Sequence, residues 1–258
     1  MHIMKHHFFG ELLGTFILVF FCCGAVAITV LFPSQVSFFQ AAIISGLAVT
    51  LAIFTTRHLS YAHLNPAVSL AMVASKRMSG KFLPIYLTGQ FLGGFLAAAI
   101  LYVLFTSSIV DYESVNGIIR GTSASWVTAK IFGDFFPHVT VVVAFAAEAV
   151  GTFLLVFLIF SLTEGANVGR PDDKQAPLYI GLAVMIITCI IGPLTQAALN
   201  PARDLAPRLF ASLAGWGKAA FPNDVFGFLV YIFGPITGGV LAALIFTRMV
   251  QPLYSSGD

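Results

Sequence analysis

Charge is what this sequence has least of. Asp, Glu, Lys and Arg make up only 9% of the chain, against about 25% in an ordinary soluble domain. A water-soluble fold with so few charges would expose large apolar patches and aggregate. The formal net charge is only +2, and no basic run is dense enough to hold nucleic acid. Cysteine is scarce too. Cys22, Cys23 and Cys189 all lie within apolar stretches, where a lone thiol behaves as a small hydrophobe. With neither a CxxC pair nor a His/Cys cluster, no disulfide and no metal site are expected. The Gly-x-Ser-x-Gly and His-Glu-x-x-His motifs are also missing, which argues against a hydrolytic enzyme.

What the chain does have is apolar length. Fifty-eight per cent of it is hydrophobic. About 20 apolar residues in a helix cross a bilayer's hydrocarbon core. Six stretches fit: Phe8–Leu31, Ser37–Thr56, Phe82–Phe105, Val139–Leu162, Leu178–Ile191 with its flanks, and Val225–Phe246. The first could be read as a signal peptide. The largely apolar run from Phe16 to Phe32 is too long for a typical signal-peptide core, however, and Glu11 belongs to a motif that recurs. Polar connections are predicted at Arg57–Lys81, Thr106–His138 and Thr163–Pro177, with a longer mixed one at Gly192–Asp224.

The two halves repeat each other. Glu11-Leu-Leu-Gly-Thr-Phe16 matches Glu148-Ala-Val-Gly-Thr-Phe153. Ala62-His-Leu-Asn-Pro-Ala67 matches Ala197-Ala-Leu-Asn-Pro-Ala202, and Gly89 through Gly94 matches Gly234 through Gly239. Three matches in order, at nearly constant separation, mark a tandem duplication. Each half holds three spans. Three is odd, so the second half enters from the opposite face and the repeats are inverted. The reading is one transmembrane domain, residues 1–258, with repeats over about 8–105 and 139–247. Both chain ends then share a side with Lys5, Lys76, Arg77, Lys81, Arg170, Lys174 and Arg248, which the positive-inside tendency makes the cytoplasm. Glycines four apart (Gly10/Gly14, Gly89/Gly93, Gly234/Gly238) suit close helix approach in lipid.

Asn-Pro-Ala occurs once in each half, at Asn65-Pro66-Ala67 and Asn200-Pro201-Ala202. Asn is a strong N-cap and Pro fits the first helical turn. Short helices are therefore predicted at Pro66–Ser75 and Pro201–Ser212. At about 1.5 Å per residue they reach only halfway across a bilayer. Entering from opposite faces, they should meet start to start at the midplane. Non-helical backbone at that depth is tolerated only where it is buried or lines a wet cavity.

At these motifs, Ala-His-Leu-Asn-Pro-Ala-Val (62–68) and Leu-Asn-Pro-Ala-Arg-Asp (199–204), the chain resembles the aquaporin and aquaglyceroporin superfamily from Glu11 to about Phe246. The resemblance implies an all-α membrane protein with six transmembrane helices and two half-helices around one pore per subunit. It also implies a homotetramer in the plasma or inner membrane and passive transport without a cofactor. The Asn65 and Asn200 amides would donate to passing solutes. Carbonyls of Tyr61, Ala62, His63, Leu64, Gln196, Ala197, Ala198 and Leu199 would form a polar ladder. Ser45, Thr188, Ala197 and Arg203 would form the outer selectivity filter, with Arg203 donating to hydroxyls and repelling cations. Glu11, Glu148 and Asp204 would give structural support, with His63 as a packed brace.

Asp204 after Arg203, together with Arg208 and Gly192-Pro-Leu-Thr195, resembles the glycerol-conducting branch. The filter departs from it. Ser45, Thr188 and Ala197 supply none of the aromatic rings usual there, which implies a wide opening. Tyr61 and Tyr231 are further departures. Glycerol is the expected solute, with some water. Urea, larger polyols, neutral metalloid hydroxides or predominantly water remain open as the main cargo. A secondary transporter shares inverted repeats and broken helices, but the only acids within the six predicted spans are the matched pair Glu11 and Glu148.

Overall fold

The computed structural model describes residues 2–221 and 227–254. Six of its helices are long and apolar enough to cross a membrane. They are α1 (His2–Leu31), α2 (Phe38–Thr56), α4 (Leu83–Val115), α5 (Val141–Thr163), α6 (Ala176–Thr195) and α8 (Val230–Ile245). Two short helices, α3 (Pro66–Ala74) and α7 (Pro201–Ala211), open at the two Asn-Pro-Ala segments. No strand occurs among the described residues.

Side-chain exposure is distributed as lipid requires. Leu47, Leu51, Val103, Leu104, Val142 and Ile190 are all exposed on the outside of the bundle, while Glu11, Glu148, Asp204 and Arg208 are wholly buried within it. A polar group withdrawn from both water and lipid must be paired. That requirement organises the interior.

Glycines set the helix spacing. A methyl group at Gly93 of α4 would overlap the carbonyl of Leu12 in α1, and one at Gly238 of α8 would overlap that of Ala149 in α5. The next residue in each helix packs on a half-helix start. A carbon added at Gly94 would lie 3.1 Å from the Ala202 oxygen, and one at Gly239 would lie 3.2 Å from that of Ala67. The two halves thus make the same contacts, each long helix seating the short helix of the other half. At the centre Gly46 of α2 meets Gly181 of α6 backbone to backbone. These two stand at equivalent places in the duplicated sequence, a pairing the sequence reading passed over.

Several helix ends differ from the hydropathy boundaries. α1 starts at His2 rather than Phe8. α4 continues past Phe105 to Val115, through Asp111 and Glu113, so the predicted connection Thr106–His138 begins later. Glu113 is accommodated because Arg120 and Thr128 donate to its carboxylate. α6 runs on through Pro193 to Thr195. Val225 and the end of the Gly192–Asp224 connection lie outside the described residues. The last helix is regular from Val230, and helical turns continue beyond Phe246 to Tyr254. The start of α1 and the turns that follow α8 share a face. His7 packs 5.0 Å from Phe82, ring to ring, and Arg77 lies 5.7 Å from the Phe246 ring. Arg77 and Phe82 both belong to the segment between α3 and α4.

Candidate pore and selectivity site

Each Asn first caps its own helix. Asn65 Oδ1 accepts from the Ala67 N–H at 2.9 Å, and Asn200 Oδ1 accepts from Ala202 at 3.0 Å and Arg203 at 3.2 Å. With the oxygen committed, the amide nitrogen must face the other half. Asn65 Nδ2 donates to the Leu199 carbonyl at 2.8 Å, and Asn200 Nδ2 donates to the Leu64 carbonyl at 2.7 Å. The two half-helices are therefore latched start to start. An NH₂ group has two hydrogens, so each Asn keeps one donor beyond the latch, and both residues line the central cavity. The latch also engages the carbonyls of Leu64 and Leu199, two of the eight expected in the polar ladder.

The chain entering each Asn is unusual. Ala62, Leu64, Gln196, Ala197 and Leu199 all have φ between 50° and 65°. Such left-handed geometry costs a residue with a Cβ roughly 1–2 kcal/mol. It survives because the backbone N–H groups are tied down. Glu11 Oε1 accepts from His63 N at 3.0 Å, and Oε2 accepts from Leu64 N at 2.7 Å. Glu148 Oε1 accepts from Ala198 N at 3.1 Å, and Oε2 accepts from Leu199 N at 2.8 Å. Hydroxyls complete the hold. Ser60 Oγ accepts from Ala62 N, and Thr195 Oγ1 accepts from Ala197 N. Both hydroxyls donate in turn to the glutamate, at 2.7 Å and 2.6 Å respectively. With the donors on the protein side, the opposite edge of each segment is left to the cavity.

Several of these partners were invisible to motif reading. Ser60 and Thr195 each stand five residues before an Asn, a signal the repeat carries. Gln90 Nε2 donates to Glu11 at 2.7 Å and to Ser69 Oγ at 3.0 Å. Ser69 in turn lies 3.2 Å from His63 Nδ1. Tyr86 and Tyr231, also repeat equivalents, are fully buried. Tyr86 Oη accepts from Tyr61 N, whereas Tyr231 Oη donates to the Thr195 carbonyl.

A single cavity of about 630 Å³ joins these parts. Its wall includes Arg57, Tyr61, Arg77 and Asp173 near the face that holds the start of α1. Asn65 and Asn200 line its middle, and Ser45, Thr188, Ala197 and Arg203 line the other end. The four expected filter residues thus share one cavity, as do all eight expected ladder residues. Tyr61 is 69% exposed and is the sole Phe, Tyr or Trp among the described lining residues. Near it, Arg77 pairs with Glu164 at 2.5 Å, and Arg57 donates to the Asp173 carbonyl. The Arg170 ion pair holds the exposed Asp173 carboxyl below its ordinary range.

At the outer end Arg203 has an ionic partner for which the sequence carries no signal. Arg203 Nη1 lies 2.7 Å from Oδ1 of Asp134, a buried residue in the connection between α4 and α5. Asp204 and Arg208 form a second buried pair at 2.6 Å behind it. Asp204 Oδ1 also accepts from Asp134 N at 2.7 Å, and Arg208 Nη2 donates to the Asp134 carbonyl at 2.6 Å. Burial raises the Asp134 carboxyl above its usual range, and the Arg203 guanidinium pulls it back. Asp134 had not been singled out, because one acid in a long polar connection carries no motif.

The sequence matches the family model described as major intrinsic protein over residues 2–246. It is 41% identical over 237 residues to the glycerol uptake facilitator protein of Pseudomonas aeruginosa, covering 91% of this chain and 85% of that one. It is 39% identical over 250 residues to the glycerol uptake facilitator protein of Escherichia coli K12, with 96% and 89% covered. Human aquaporin-9 is 36% identical over 253 residues, with 96% and 84% covered. In three dimensions the chain resembles the aquaglyceroporin of Plasmodium falciparum, with a TM-score of 0.86 and 28% identity over 98% of this chain and 99% of that one. Sequence, fold and the paired Asn-Pro-Ala helices agree: this chain belongs to the major intrinsic protein family.

Proposed function

We propose that this protein is a passive channel through which glycerol and other small uncharged solutes, with some water, cross a cell membrane. The observation that carries this reading is the latched pair Asn65 and Asn200 lining one cavity with both mouths. Each half-helix start carries about half a positive charge. Two such ends facing the midplane oppose cations and orient water so that a proton wire is broken. The amide hydrogens left over from the latch donate to solute hydroxyls. Carbonyls of Tyr61, Ala62, His63, Gln196, Ala197 and Ala198 accept from them. Apolar wall residues such as Leu18, Val49, Val68 and Leu155 face the carbon side of a polyol. No bond is made or broken, so the protein acts without a cofactor and not as an enzyme. The relatives named as glycerol facilitators support the choice of solute.

The chain works as one domain whose inverted repeats cover about 8–105 and 139–247. It sits in the plasma or inner membrane as a homotetramer with both termini in the cytoplasm. Ser45, Thr188, Ala197 and Arg203 set the outer filter. Stopped-flow swelling of proteoliposomes tests the assignment. Glycerol should enter much faster than into empty liposomes, without saturation and without dependence on an ion gradient. Glycerol entry equal to that of empty liposomes, with water still fast, refutes the solute. Saturation with ion coupling favours a secondary transporter.

One observation favours a permissive filter over a strict one. No aromatic ring lines the cavity around Ser45, Thr188 and Ala197 among the described residues. Urea, larger polyols and neutral metalloid hydroxides therefore fit as additional cargo. Ser45→Trp should block bulky polyols while sparing water, and unchanged polyol entry in that variant removes the wide-filter reading.

A further inference from the structure

We propose that Asp134 is a specificity-determining residue of the outer constriction: by pairing with Arg203 from behind, it holds the guanidinium back from the opening and so sets the size of solute that passes. The inference rests on the channel reading above.

The constriction's only charged wall residue among those expected is Arg203. Left alone, it would place a full positive charge and several free donors at the outer end of the cavity. Here Asp134 Oδ1 stands 2.7 Å from Nη1. Asp134 is itself fully buried and does not line the cavity, so it acts from behind the guanidinium. The contact is not an aligned hydrogen bond, since Arg203 Nη1 and both Asp134 oxygens lack one. Charge is balanced there, while these polar atoms keep unused hydrogen-bonding capacity.

The placement is built, not incidental. Arg208 donates to the Asp134 carbonyl, and Asp204 accepts from its N–H. The backbone is thus clamped from both sides. Gly133 makes room, because a Cβ there would lie 2.8 Å from the Arg208 guanidinium carbon. Two acids and two arginines, Asp134, Asp204, Arg203 and Arg208, then sum to zero charge in one buried cluster. A pair at such separation, shielded from water, interacts strongly enough to decide where the guanidinium rests.

A double-mutant cycle tests this, using purified channel in proteoliposomes. Asp134→Asn and Arg203→Gln are made singly and together. The reading is the permeability ratio of a five-carbon polyol to glycerol, with the amount of reconstituted tetramer-sized protein per liposome measured by immunoblot. Asp134→Asn should lower the ratio by about five-fold, because the uncompensated guanidinium intrudes on the opening. In the Arg203→Gln background the same change should do nothing. An unchanged ratio in Asp134→Asn overturns the proposal, as does an equal effect in both backgrounds, which would mean a loop effect independent of charge. If Asp134→Asn fails to assemble, Asp134→Ser serves as the second neutral variant under the same criteria. A wild-type protein that passes no glycerol refutes the solute assignment instead. The cycle is then read as urea against water, and the same two results overturn the role of Asp134.

Discussion

The segment entering Asn65 and the segment entering Asn200 are built alike at their inner ends and differently at their outer ends. Around each Asn the parts correspond: a glutamate from the first helix of the half, a hydroxyl five residues upstream, left-handed backbone and a latch across the midplane. Away from the centre the likeness ends. The first half opens onto an aromatic cluster in which Tyr61 stacks near His7 and His63. The second opens onto the buried charges of Asp134, Arg203, Asp204 and Arg208. The shared centre answers a shared physical problem, namely strained backbone buried at mid-membrane depth. The mouths lie outside that shared problem and are free to diverge.

The strongest challenge to this comparison is to remove one glutamate. Glu148→Ala strands the Ala198 and Leu199 N–H groups in a dry interior, at a cost of about 3–5 kcal/mol. Thermal unfolding in detergent should show a large loss, and solute flux should vanish. Glu11→Ala should do the same, and a mild phenotype in one with a severe one in the other breaks the equivalence. Next in size, Gly238→Leu pushes α8 off the Ala149 carbonyl and should cost about 1–3 kcal/mol, with Gly93→Leu matching it. Asn65→Ala and Asn200→Ala each lose a helix cap worth about 1 kcal/mol, along with one strand of the latch. Glycerol permeability should fall in both, by a similar factor, in the same swelling assay. The smallest effect belongs to the inner mouth. Tyr61→Gly removes an exposed side chain and should change glycerol entry less than two-fold. A larger change would give the inner mouth a share in selection.

Much of this was legible in the sequence because the repeat supplied each signal twice. The paired Asn-Pro-Ala segments, the two buried glutamates and the glycine-lined contacts between long helices could all be read from the residues. Helix ends were read less well. Asp111 and Glu113 look like a loop until Arg120 and Thr128, in the connection that follows, are seen to take up Glu113. Gln90 gave no hint of its bonds to Glu11 and Ser69, because one amide in an apolar helix has no periodicity. Arg203 was placed on motif, but its ionic partner could not be. Nothing local distinguishes Asp134 from Asp111 or Asp172, and only the fold brings it behind Arg203. The glycine beside it, Gly133, is the one trace of that crowding in the sequence.

The tied-down loops have a consequence for how the protein responds to heat. Each left-handed carbonyl segment is already fixed by a carboxylate and a hydroxyl, so a traversing molecule has no moving part to wait for. Permeation should then warm up as gently as diffusion through a liquid. Its Arrhenius slope should lie far below that of a carrier that must swing between two shapes.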